Sequence, residues 1–127
     1  MTDPGRLPPQ TAVEVRTTED GTVVCVVTGE LDIESIGPAH EAFAAVRARR
    51  PALTVLDLSG VGFCDSSGLN LLLQLRLGLE REQLALRLAA VPPPVGRVLE
   101  LTGAATVFSL HPSVEDATRA GAGPSSS

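Results

Sequence analysis

Three consecutive residues, Asp65-Ser66-Ser67, carry the side chains in this chain best suited to chemistry. A serine hydroxyl becomes a nucleophile when a base lies within hydrogen-bond reach. It becomes a phosphoryl acceptor when another protein brings the phosphate. The first use has little support, because there is no Gly-x-Ser-x-Gly elbow and nothing in the spacing sets His40 or His111 beside Ser66. Glu30 and Asp32 are an imaginable acid–base pair, but two loop carboxylates after a strand are far more often solvated or turned toward a partner. His40 and His111 have no ligand-like spacing to Cys25 or Cys64, so no metal and no cofactor is expected. A phosphate-cradling glycine loop needs its lysine, and the chain has none. The expectation is a protein that is not an enzyme, with Ser66, or alternatively Ser67, as the target of another protein's chemistry.

These hydroxyls must be held by a strand, a turn and a helix. Residues 53–58 form a short apolar run that reads as a buried strand. Residues 71–77 are mostly leucine, good helix material. Asp65, Ser66 and Ser67 fall between them and are the types whose oxygens accept from free N–H groups at a helix start. Capping is the commonest job for such residues and competes with the acceptor reading of Ser66. Ser66, Asn70 and Gln74 recur at intervals of four and share one face of a helix that is otherwise apolar, so they form its wet stripe. A phosphate at Ser66 would sit comfortably on a helix N-terminus. It would also add about −1.5 to −2 charges beside Asp65, against any partner docked over the stripe.

Composition narrows the class. The 127 residues suit one domain, with 43% hydrophobic and 20% charged residues. Net charge is −5, all ten basic residues are scattered Arg, and aromatics make up 2%, so direct nucleic-acid binding is not expected. The longest apolar run falls well short of the ~20 residues of a membrane span. Met1 to Arg6 lacks a signal-peptide pattern. No membrane association and a cytoplasmic location are expected, with Cys25 and Cys64 as buried thiols.

In chain order, residues 1–10 read as a flexible arm rich in Pro. Residues 11–18 alternate as a strand, Glu19-Asp20-Gly21 is a hairpin turn, and the β-branched run 22–28 is a central strand. Gly29 to Asp32 reads as the loop that ends it. Residues 35–49 are a helix with Ile36, Ala39, Phe43 and Val46 on its apolar face. The strand at 53–58, reached across that helix, should run parallel to the second. A helix from 66 to 82, a strand at 84–89, a helix opened by Pro94 and stopped by Gly103, and a strand at 106–110 follow. Ser113 to Asp116 matches a capping pattern for a last helix. Residues 120–127 read as a disordered tail. The core should contain Val23, Val26, Val55, Leu56, Leu72 and Leu86. The fold class is α/β, one domain over 11–119 with a mixed sheet of four to five strands and about four helices. Because parallel strands end on the same edge, the loop at Gly29–Asp32 should lie beside Ser66.

The stretches Gly29-Glu30-Leu31-Asp32 and Phe63-Cys64-Asp65-Ser66-Ser67-Gly68-Leu69 resemble the two signature segments of the STAS domain, and more narrowly those of bacterial anti-sigma-factor antagonists. The Thr102-Gly103 stop, Val107-Phe108 and Ser113 to Ala117 resemble the family's C-terminal part. The resemblance departs at Asn70, where the family usually carries Gly. It implies a module that binds an anti-sigma factor, itself a serine kinase, and so frees a sigma factor. It implies phosphorylation at Ser66, reversed by a phosphoserine phosphatase. It makes Glu30, Asp32, Asp65, Ser66, Ser67, Gly68, Asn70 and Gln74 the partner-binding set. The alternative reading is a STAS scaffold of a larger sensory assembly that is not switched at Ser66.

Overall fold

The computed structural model describes residues 11–119. The expectations of a flexible arm at 1–10 and a disordered tail at 120–127 lie outside the described residues. Five strands and four helices alternate: β1 (Ala12–Thr17), β2 (Val23–Leu31), α1 (Gly37–Arg49), β3 (Leu53–Cys64), α2 (Ser66–Arg81), β4 (Ala85–Ala89), α3 (Pro93–Thr102), β5 (Ser109–His111) and α4 (Val114–Arg119). The strands lie in sequence order in one sheet. β1 pairs antiparallel with β2, and β2 to β5 run parallel, so the sheet is mixed as its patterns require.

The hairpin turn is set by Asp20, whose carboxylate accepts from the Thr22 amide at 3.1 Å, and by Gly21 at φ +89°. Helices α1, α2 and α3 pack on one face of the sheet. Val23, Cys25 and Val27 of β2 meet Phe43 and Val46 of α1, Leu72, Leu75 and Leu79 of α2, and Val95 and Leu99 of α3 in one core. Val24 of β2, Val55 of β3 and Ala89 of β4 face the other way and form a second, smaller cluster with Ala117 of α4. A two-residue repeat with both faces apolar marks a strand covered on both sides, and β2 is one.

Of the expected core, Val23, Val55, Leu56 and Leu72 are buried. Val26 and Leu86 are only half-buried. Val26 lies at the margin of the α4 cluster. Leu86 precedes the point at which β4 gains its second neighbour, since β3 pairs from Ala85 but β5 only from Arg87 onward.

Three element boundaries depart from the sequence reading. Strand β2 continues through Gly29, Glu30 and Leu31, which were expected in a loop. Strand β3 continues from Leu58 to Cys64, leaving Asp65 alone to join strand to helix. These extensions pair with each other across register shifts at Val26/Thr28 and Gly29/Glu30. Such bulges break the alternation by which strands are recognised. Third, a 3₁₀ turn occupies Ala104–Thr106, where the last strand was expected to begin. There the Thr106 hydroxyl donates to the Gly103 carbonyl at 2.9 Å, a local bond that competes with strand pairing.

Candidate functional site

Helix α2 begins at the edge where β2 and β3 end. Its N-cap is Asp65, extended at φ −113°, ψ −168°, whose carboxylate accepts from the amides of Ser67 at 2.8 Å and Gly68 at 3.2 Å. The Asp65 amide donates to the Leu31 carbonyl at 3.1 Å, tying the helix head to the end of β2. Gly68 lies so close above Leu31 that a Cβ there would stand 2.3 Å from the Leu31 oxygen. Only a residue without a side chain permits this approach. The head of α2 and the segment Glu30–Asp32 are therefore one unit, as the parallel strand ends required.

The capping question resolves within this turn. Asp65 is the cap, and Ser66 is the first helical residue beyond it. The capping role that competes with the acceptor reading of Ser66 falls to Asp65, whose carboxylate takes both the Ser67 and the Gly68 amides. Ser66 is exposed, and its hydroxyl has no hydrogen-bond partner among the described residues. Asn70 and Gln74 continue its line and are also exposed, and Leu77, 43% exposed, extends it. Ser67 is half-buried and lines a groove between α1 and α2 that Asn70 and Gln74 also border. Gly68 is buried.

Glu30 and Asp32 are half-buried. Glu30 stands beside Phe63 in the β2–β3 register, and its carbonyl accepts from the Thr11 hydroxyl at 2.5 Å. One Asp32 carboxylate oxygen is buried without a hydrogen-bond partner among the described residues. None of the eight site residues is basic, and Glu30, Asp32 and Asp65 give this edge of the sheet an acidic rim.

Two apolar side chains interrupt that rim. Phe63 is 45% exposed and Ile33 is 69% exposed. The sequence reading missed both. The sequence pattern assigns Phe63 no face; Val61 and Cys64 are buried while Gly62 and Phe63 face out. The nearby shift in the β2–β3 register breaks the strict alternation that a strand pattern assumes. Ile33 lies two residues past β2, where no periodicity assigns a face.

Burial, and secondarily the Asp65 carboxylate, push the Cys64 thiol up to about 11, and burial pushes Cys25 up to about 11. A thiol held protonated is a poor nucleophile. Both cysteines are free and buried, as expected.

No helix among the described residues is long and apolar enough to cross a membrane. The profile of the STAS domain matches residues 13–117. The anti-sigma-B factor antagonist of Staphylococcus aureus (strain NCTC 8325 / PS 47) is 26% identical over 99 residues, covering 78% of this chain and 92% of that protein. A solved anti-sigma factor antagonist from Mycobacterium paratuberculosis superposes with a TM-score of 0.71 at 34% identity, covering 94% of this chain and 97% of the other. SpoIIAA of Bacillus in its phosphorylated form shares the fold at a TM-score of 0.67 and 21% identity, over 85% of this chain and 97% of the other.

Proposed function

This chain belongs to the STAS domain family, and from that premise we propose that it is an anti-sigma-factor antagonist whose binding is switched off by phosphorylation of Ser66. The names of its relatives support the general role. The observation that carries the switch is the state of Ser66: exposed, unbonded, and one residue past a cap that Asp65 alone supplies. Its hydroxyl is free to react without unfolding the helix.

In this reading the partner docks over the edge formed by Glu30, Asp32, Asp65, Ser67, Gly68 and the Ser66–Asn70–Gln74 stripe. Phe63 and Ile33 are the apolar anchors inside an acidic rim, an arrangement suited to a basic partner surface with a hydrophobic recess. The partner is also the kinase. The Ser66 oxygen attacks the γ-phosphorus of the ATP it holds, the bond to the β-phosphate oxygen breaks, ADP leaves and the hydroxyl proton is lost. The product adds about −1.5 to −2 charges beside Asp65. The helix N-terminus tolerates that charge, while a docked partner meets like charge and a desolvation cost. A phosphoserine phosphatase returns the hydroxyl by hydrolysis.

The test uses the cognate anti-sigma kinase and three variants. Ser66→Ala should fold and bind the kinase permanently. Ser66→Asp should fold and bind at least about tenfold more weakly, a loss of about 1.4 kcal/mol. Ser67→Ala should change binding little. Mass spectrometry after incubation with kinase and ATP should find phosphate on Ser66. Phosphate on Ser67 or nowhere, or full affinity in Ser66→Asp, defeats the switch. Retained binding in that case would leave an unswitched STAS scaffold, and Asn70, exposed one turn from Ser66, would be the first residue to blame.

A further inference from the structure

A groove of about 350 Å³ runs between α1 and α2. Its floor is apolar, made by Ile36 and Phe43 of α1 and Leu71 and Leu75 of α2. Its walls carry uncharged polar groups, those of Ser67, Asn70 and Gln74, together with His40. Arg47 is the charged residue in its lining. No acidic residue lines the groove, although the chain has fifteen Asp and Glu and a net charge of −5.

Arg47 differs from its neighbours on α1. Arg50 pairs with Glu82, and Arg49 donates to the Thr17 hydroxyl at 2.7 Å. Arg47 has no carboxylate partner or hydrogen bond among the described residues. Its guanidinium instead lies against Gly78 of α2, where an added Cβ would stand 2.4 Å from Cζ. The missing side chain at Gly78 leaves room for the guanidinium against the helix beside the groove, and none of its donors has a partner among the described residues. A planar guanidinium with free donors matches a carboxylate, which it can bind through two parallel hydrogen bonds. An apolar floor with few polar groups at the wall is the usual make-up of a small-molecule site.

We propose that the groove between α1 and α2 binds a small monocarboxylate with an apolar tail, its carboxylate on Arg47 and its tail along Phe43, Leu71 and Leu75. At about 30 Å³ per water-sized group, the volume holds roughly a dozen heavy atoms, the size of a medium-chain carboxylate. The site is read from this chain alone and does not depend on the partner assignment. If it is filled, its occupant touches Asn70 and Gln74, which the proposed docking stripe shares.

The experiment titrates the ¹⁵N-labelled chain with octanoate and follows amide shifts. Octylammonium supplies the same tail with the opposite charge, and acetate the same head without a tail. Octanoate should give a saturable shift of Phe43, Ala44, Asn70 and Leu71 with a midpoint in the millimolar range, about what ten heavy atoms support. Arg47→Gln should weaken it about tenfold, the value of one charge-assisted contact. Ala44→Trp, at an exposed position on the groove wall, should block it while the rest of the spectrum stays unchanged. Equal groove shifts with octylammonium or acetate, an unchanged midpoint in Arg47→Gln, or no saturation with octanoate would overturn the proposal. Because no kinase is present, none of these outcomes bears on the switch at Ser66.

Discussion

One substitution made twice on α2 should have opposite effects. Gly68 and Gly78 both lie in this helix and are both buried. Alanine favours a helix over glycine by about 1 kcal/mol, so propensity alone predicts that both changes stabilise. Packing separates them. At Gly68 the new Cβ would stand 2.3 Å from the Leu31 oxygen, 2.6 Å from its Cβ and 3.0 Å from its carbonyl carbon. Two of these atoms are backbone, and the oxygen already accepts from the Asp65 amide at 3.1 Å. Relief requires the first turn of α2 to lift by about 1 Å, which costs about 1–3 kcal/mol of overpacking and roughly 1 kcal/mol of weakened hydrogen bond. After the propensity gain, Gly68→Ala should destabilise by about 1–3 kcal/mol. At Gly78 the Cβ meets only the end of the Arg47 side chain, at 2.4 Å from Cζ and Nε. That guanidinium can swing into solvent. Gly78→Ala should therefore range from neutral to about 1 kcal/mol stabilising. Urea unfolding followed by circular dichroism measures both, with equal slopes expected if both remain two-state. A Gly68→Ala variant within about 0.5 kcal/mol of wild type, or a Gly78→Ala variant as damaged as Gly68→Ala, would refute the packing argument.

Asp65→Ala removes the acceptor for two amides at the head of α2 and should destabilise by about 1 kcal/mol, while Asp65→Asn, which keeps an acceptor oxygen, should lose less; urea midpoints compare the two. Changing Phe63 and Ile33 together to Ser should leave stability within about 0.5 kcal/mol, because both are exposed, yet weaken the anti-sigma partner at least about tenfold in calorimetric titration. Unaltered affinity would remove them from the docking surface. Iodoacetamide at pH 8 should alkylate Cys25 and Cys64 in the folded chain about a hundredfold more slowly than in urea, since raising a thiol from 9.0 to about 11 lowers its thiolate fraction by that factor. The same thiols make stability pH-dependent. Their pKa values are raised on folding, so the contribution is fully present below pH 9 and is lost as pH climbs from there through about 11, which a urea-midpoint series across that range reads directly.

The elements that follow from short-range pattern were legible in the sequence. The leucine run of α2, the Asp-Gly hairpin, the β-branched interior of β2 and the Gly103 stop each arise from neighbours a few residues apart, and a linear reading reaches that far. The Ser66–Asn70–Gln74 stripe is of the same kind, because a helix repeats every 3.6 residues wherever it packs. Tertiary structure decided what depends on two distant segments meeting. The pairing of 28–31 with 60–64 lengthened both strands through bulges that no alternation announces, and turned Phe63 outward next to Glu30. The close approach of Gly68 to Leu31 fixed the start of α2, and the cap fell to Asp65, leaving the Ser66 hydroxyl without a hydrogen bond among the described residues. Arg47 lies over Gly78, with no carboxylate partner among the described residues, only because α1 and α2 lie side by side on one face of the sheet. Residue types set what each side chain can do, and the packing of segments far apart in sequence determined which of them are exposed, which are paired and which share a surface.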